Sequence, residues 1–167
     1  MEPCAAVMRS PCGSSMIDDE LFYTDNQCDW LGSGSVMPIR KGAFLRHPSA
    51  LVWSGMLNSP VKVTREQVYA QNPPPPVQFT KDGQEIKPEN NVNGKNLTEF
   101  EIKKAIPDLQ LPAVWLPHGI LGISNSEIVK IPEGTFGPFE GQLLVCDQGQ
   151  SMIDRVFMEK VNGEYQG

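Results

Sequence analysis

The side chains with chemistry to offer are two histidines, a short acidic-amide run and three tryptophans. His47 and His118 can each act as a base or a metal ligand, but two imidazoles without a third partner do not make a zinc site. Asp25-Asn26-Gln27, with Asp29 just beyond, presents hard oxygens of the kind calcium takes roughly six to eight of. The same residues at a strand end also form an Asx turn that satisfies backbone N–H groups, and the sequence leaves both uses open. Trp30, Trp53 and Trp115 could make a surface for stacking sugar rings, although Trp53 and Trp115 are expected to fill the gap between sheets. His47, beside Arg46, suits either a polar pocket or a packed turn. The sequence has no Gly-x-Ser-x-Gly elbow, phosphate-binding Gly-Lys loop or His-Glu-x-x-His pair. Cys4, Cys12, Cys28 and Cys146 show no Cys-x-x-Cys spacing, and Cys12 could reach Cys28 only with Cα atoms within about 7 Å.

The elements that must position these residues are short. With 15 Gly and 15 Pro among 167 residues, scattered between brief apolar runs, the chain reads as many strands joined by tight turns, with helix a minor theme. Strands are predicted at Glu20–Thr24, Gly141–Cys146 and Ser151–Met158. The last two form a hairpin about Asp147-Gln148-Gly149-Gln150. A further apolar segment is Leu51–Trp53.

Residues 58–111 differ in composition. They hold Pro73–Pro76, the turn signal Lys81-Asp82-Gly83, a polar run over 88–95, and a charged stretch at 99–104. The expectation is a surface insertion with a polyproline spacer and a short amphipathic helix at 97–106 capped by Asn96 or Thr98. Asn96-Leu97-Thr98 is also a glycosylation sequon. The insertion divides the chain into blocks 1–57, 58–111 and 112–167. The outer blocks share a pattern, an apolar strand running into an acidic-amide corner at Asp25 and again at Asp147. That repetition points to a propeller-type supersecondary unit.

Charge narrows the partners. Fourteen Lys+Arg against 20 Asp+Glu give a net charge of −6, which with no basic cluster argues against nucleic acid. No apolar run approaches the ~18 residues of a membrane span, and the first residues lack a signal peptide's basic start and apolar run.

Three collinear segments, Arg9-Ser10-Pro11-Cys12-Gly13, Leu21-Phe22-Tyr23-Thr24-Asp25-Asn26 and the stretch Ile39 to Pro48, resemble motifs of the glucose/sorbosone dehydrogenase family. Pro117-His118-Gly119-Ile120 and Phe136 to Leu143, followed by Asp147-Gln148, resemble a further blade in large secreted or membrane-associated putative dehydrogenases of the same group. The resemblance implies an all-β fold, a partial six-bladed β-propeller of two to three blades. A closed ring needs about 250 residues, so the expectation is a fragment whose partners are the remaining blades. It also implies pyrroloquinoline quinone (PQQ) and calcium as cofactors, a sugar or glycan as substrate, and a secreted or periplasmic location. By position, Arg9 would contact the quinone's carboxylates, with Ser10 beside it. The alternative for Arg9 is a structural ion pair. Asp25, Asn26 and Gln27 stand where the family has Glu-His-Gly, and Asp25 with Asp29 would supply oxygen ligands to calcium. His47 aligns with a family tryptophan, not with the general base, and Arg46 replaces a glycine. His47, His118 and Trp30 are the substrate-facing candidates. The competing expectation is a non-catalytic propeller that binds a glycan or protein.

Overall fold

The computed structural model describes residues 4–27, 30–74, 77–86, 95 and 97–167. It is mostly β. Strands β1 (Gly13–Ile17), β2 (Glu20–Asp25) and β3 (Ser33–Pro38) form an antiparallel meander. The β1–β2 hairpin turns on Asp18 and Asp19, both at positive φ (49° and 64°). This left-handed pair matches the twist of the flanking strands, and aspartate tolerates it better than most residues.

The chain then leaves the sheet. A 3-10 turn at Pro48–Trp53, helix α1 (Arg65–Gln71), the hairpin β4 (Gln78–Phe79) and β5 (Glu85–Ile86), and helix α2 (Glu99–Ala105) follow. Both helices start at capping boxes, Thr64 with Gln67 and Thr98 with Glu101, so each satisfies two otherwise orphan N–H groups. The 58–111 segment is not a surface insertion throughout, which corrects the sequence expectation. Val61, Val68, Ile102, Ile106 and Leu109 are buried in one cluster with Val7, Trp30, Leu31, Phe44 and Leu51. Its middle hairpin is exposed, with Gly83 at φ +77° in the expected Lys81-Asp82-Gly83 turn. Pro75, Pro76, 87–94 and Asn96 lie outside the described residues.

Strand β6 (Val114–Pro117) returns to pair with β3, giving the order β1-β2-β3-β6. A second antiparallel sheet holds β7 (Asn125–Lys130), β8 (Leu143–Asp147) and β9 (Met152–Val156) in that order. Beyond it lies the hairpin β10 (Glu159–Val161) and β11 (Glu164–Gln166), whose Tyr165 meets Phe22 edge-on at 5.0 Å. The core between the sheets is Ile17, Phe22, Val36, Val114 and Leu116 against Ile128, Leu143, Val145 and Val156. Strand β7 lies over β1 and β2, and two glycines allow the approach. A Cβ on Gly13 would sit 2.4 Å from the Ser126 carbonyl oxygen, and one on Gly34 would sit 2.2 Å from Asn125 Nδ2. No strand among the described residues closes either sheet into a barrel or ring.

Candidate functional site

Alternation along β2 sends Phe22 and Thr24 toward the second sheet, and Tyr23 and Asp25 to the opposite face. Asp25 is fully buried. Its carboxylate accepts from the backbone N–H groups of Arg9 (3.1 Å), Ser10 (3.0 Å) and Asn26 (2.9 Å), and from the Tyr23 hydroxyl (3.4 Å). The structure therefore does bring Arg9, Ser10, Asp25 and Asn26 to one corner, but through backbone donors around a buried anion. This is the Asx-type use of Asp25. Gln27 follows the corner, half-buried. Asp29 and Cys28 lie outside the described residues.

The second sheet repeats the arrangement. Asp147, also the last residue of a second strand and 1% exposed, accepts from the N–H groups of Gly122 and Ile123 (both 3.0 Å), Ser124 and Gly149 (both 2.9 Å) and Gln150 (3.4 Å). Burial pushes its pKa up, and the N–H groups of Ser124, Ile123, Gly149 and Gln150 outweigh that and hold it below the usual aspartate value. In each sheet the aspartate closing the second strand ties down the segment that enters the first strand, residues 9–10 in one and 122–124 in the other. The corners also touch, since Asn125 Nδ2 donates to the Asp25 carbonyl oxygen at 3.0 Å.

A second polar centre joins the helical segment to the first sheet. Arg46 is fully buried and sits at φ +75°, a left-handed backbone that favours glycine. Its guanidinium pairs with Glu99 at 2.7 Å and donates to Ser35 Oγ (2.7 Å), the Ser33 carbonyl oxygen (3.1 Å) and Ser33 Oγ (3.0 Å). A planar fork with five donors can bridge a strand and a helix in this way. Burial pushes the Glu99 carboxyl up, against the pull of Arg46 and of the Trp115 indole. The pairing of residues 46 and 99 is long-range and left no mark in local spacing.

The substrate-facing candidates separate. Trp30 is a core ring, 2% exposed, packed 6.1 Å from Phe44, with Nε1 donating to the Asn72 carbonyl oxygen at 2.7 Å. A sugar cannot stack on it without opening the core, which corrects that expectation. Trp53 reverses its expectation too, being 65% exposed rather than buried between sheets. Trp115 is half-buried under Phe100, ring centroids 5.5 Å apart. His47 is half-buried at the start of the 3-10 turn, and His118 is exposed in the turn after β6.

Calcium at Asp25 does not fit the residues as they stand. Both carboxylate oxygens already accept N–H groups, and a cation would have to displace donors that shape the loop. Among the described residues no group of three His, Cys, Asp or Glu is placed to hold a metal ion. No described helix is long and apolar enough to cross a membrane. Comparisons with protein-family models, with curated proteins and with solved structures find no match to the chain.

Proposed function

We propose that the two sheets are consecutive blades of a β-propeller and that this part of it is a binding scaffold for a glycan or a protein. The observation that carries the reading is the repeated corner. Asp25 does in the first sheet what Asp147 does in the second. A feature present in both units is best explained as part of the unit, not as a cofactor site belonging to one of them. The path from β6 back to β7, over β1 and β2, is also the path from one blade to the next.

Exposed apolar side chains on the helical segment supply a contact surface. Val52, Trp53, Met56 and Leu57 follow one another and stand out from the chain, Leu57 at 95% exposure. Trp53 is the tryptophan that offers its ring to a ligand. The test is a glycan array and protein pull-down with the wild-type chain and Trp53→Ala, beside a titration with PQQ and calcium. The expected result is a captured ligand that Trp53→Ala binds at least tenfold more weakly, with no spectral change on adding quinone. Quinone binding with aldose-dependent dye reduction would overturn the reading.

A second reading is part of a secreted or periplasmic quinone-dependent sugar dehydrogenase, which transfers hydride from a sugar to PQQ. It is favoured by Arg9, Ser10 and Asn26 meeting at one corner. In that case Arg9 would face the quinone, and calcium would take its oxygens from residues other than Asp25.

A further inference from the structure

Strand β9 is the outer strand of its sheet, and among the described residues nothing pairs with the edge it turns away from β8. Such an edge carries a row of unsatisfied N–H and C=O groups that can template another strand. In the first sheet the corresponding place is filled, because β6 pairs with β3 from Ser33–Pro117 to Val36–Val114. The sheets otherwise match strand for strand, β1 with β7, β2 with β8 and β3 with β9, including the aspartate at the end of the second strand.

Two further observations bear on what fills the edge. Asp154 points inward from β9 and is only 7% exposed, with Oδ2 lacking a hydrogen-bond partner. Burial and the Asp147 charge both push its carboxyl up, so a donor beside it would relieve a cost the present fold carries. The position of β11 matters as well. Strand β11 runs antiparallel to β10, and a Cβ on Gly167 would lie 2.3 Å from the Phe157 carbonyl oxygen. The Gly167 N–H in turn donates to the Ala113 carbonyl oxygen at 3.1 Å, so the end of β11 is held between the residue before β6 and the residue after β9.

We propose that the open edge of β9 accepts an added antiparallel strand, an extended polypeptide segment apolar at alternate positions with a hydroxyl, amide or ammonium donor opposite Asp154. The inference rests on the blade reading above. Backbone pairing provides the attraction, and the donor at Asp154 fixes the register. A second copy is a poorer occupant, because β9 paired antiparallel with itself about Asp154 sets two carboxylates face to face.

The test is amide hydrogen exchange on the whole chain, as it stands and extended after Gly167 by a short alternating Val-Thr strand with one lysine scanned along it. The β9 amides pointing away from β8 exchange at least tenfold more slowly in the extended chain, and one lysine position protects best. Glutamate at that position abolishes the gain. Asp154→Asn keeps the protection but removes the preference for lysine over glutamate. Unchanged exchange overturns the proposal, as does protection in the unextended chain that grows with protein concentration, the sign of a second copy. The blade reading fails separately, if a longer chain carrying this sequence pairs β9 but packs no further sheet on Val129, Leu144 and Ile153.

Discussion

Replacing Asp147 by asparagine keeps the shape of the corner and removes one acceptor. In the wild type Oδ2 serves Gly122 and Ile123, while Oδ1 serves Ser124, Gly149 and, at longer range, Gln150. Whichever way the amide turns, its NH2 faces N–H donors instead of accepting from them. Hydrogen bonds to a charged acceptor contribute about 1.5–3 kcal/mol each. Water can reach the half-buried Ile123 and Ser124 and recover part of a two-bond loss, so the expected cost is about 2–4 kcal/mol. Urea unfolding followed by tryptophan fluorescence measures it, with equal slopes required before midpoints are compared. The pH dependence has a definite sign. The folded pKa of Asp147 lies below its unfolded value, so its contribution is complete above the unfolded value and is lost as pH falls through the folded one. The gap between wild type and Asp147→Asn should close over that acid range. A variant within about 0.5 kcal/mol of wild type, the spread of ordinary surface substitutions, would refute the tie that both corners are argued to make.

Four other outcomes follow from the packing. Arg46→Met strands Glu99 without its counter-charge and costs about 3–5 kcal/mol in urea unfolding; adding Glu99→Gln recovers part of it. Ile102→Ala costs about 2–5 kcal/mol, because Ile102 is 1% exposed, whereas Phe79→Ala on the exposed hairpin changes stability by less than about 0.5 kcal/mol. Gly13→Val drives a side chain into the Ser126 backbone and lowers the thermal midpoint while separating the sheets, seen as faster exchange of the β7 amides. For Asp154, burial and the Asp147 charge raise the folded pKa, so stability is lost as pH rises from the unfolded to the folded value. Asp154→Asn is therefore more stable than wild type at neutral pH and loses that advantage in acid.

Much of the strand content was legible because its signals are local. The run at 20–24 and the hairpin about residues 147–150 carry β-branched and aromatic residues beside turn formers, and the structure places β2, β8 and β9 there. Helix α2 was legible from its apolar spacing and Thr98 cap. Helix α1 was missed, although Thr64-x-x-Gln67 spells the same capping box. Strands β1, β3, β6 and β7 were missed, β1 and β3 for a physical reason. Ser33-Gly34-Ser35 and Gly13-Ser14-Ser15 have low intrinsic strand preference and are held by pairing and by the close contact of β7. The aspartate corners were visible as a repeated pattern, but their partners at residues 9–10 and 122–124 are distant in sequence. The burial of Trp30 and exposure of Trp53 turn on the helical segment folding back into the core. Neither residue type nor spacing determines that.

The repeated corner also bears on where function can reside. A buried carboxylate ringed by backbone N–H groups is costly to disturb, since every donor it releases must find water or another acceptor. The corners are therefore fixed by the fold, and a change of ligand is least costly in what they leave unconstrained. In this chain those parts are the long excursion between β3 and β6 and the open edge of β9. The excursion reaches from the end of β3 to the start of β6, packs Phe44 and Ile102 in one core with Val7, Trp30 and Leu31, and is anchored to the sheet by Arg46 and Glu99. With its base fixed by a core and a buried ion pair, its outward side chains, Trp53 and Leu57 among them, can be exchanged at small cost to stability. A scaffold that separates a fixed corner from a variable excursion can alter its ligand without altering its fold.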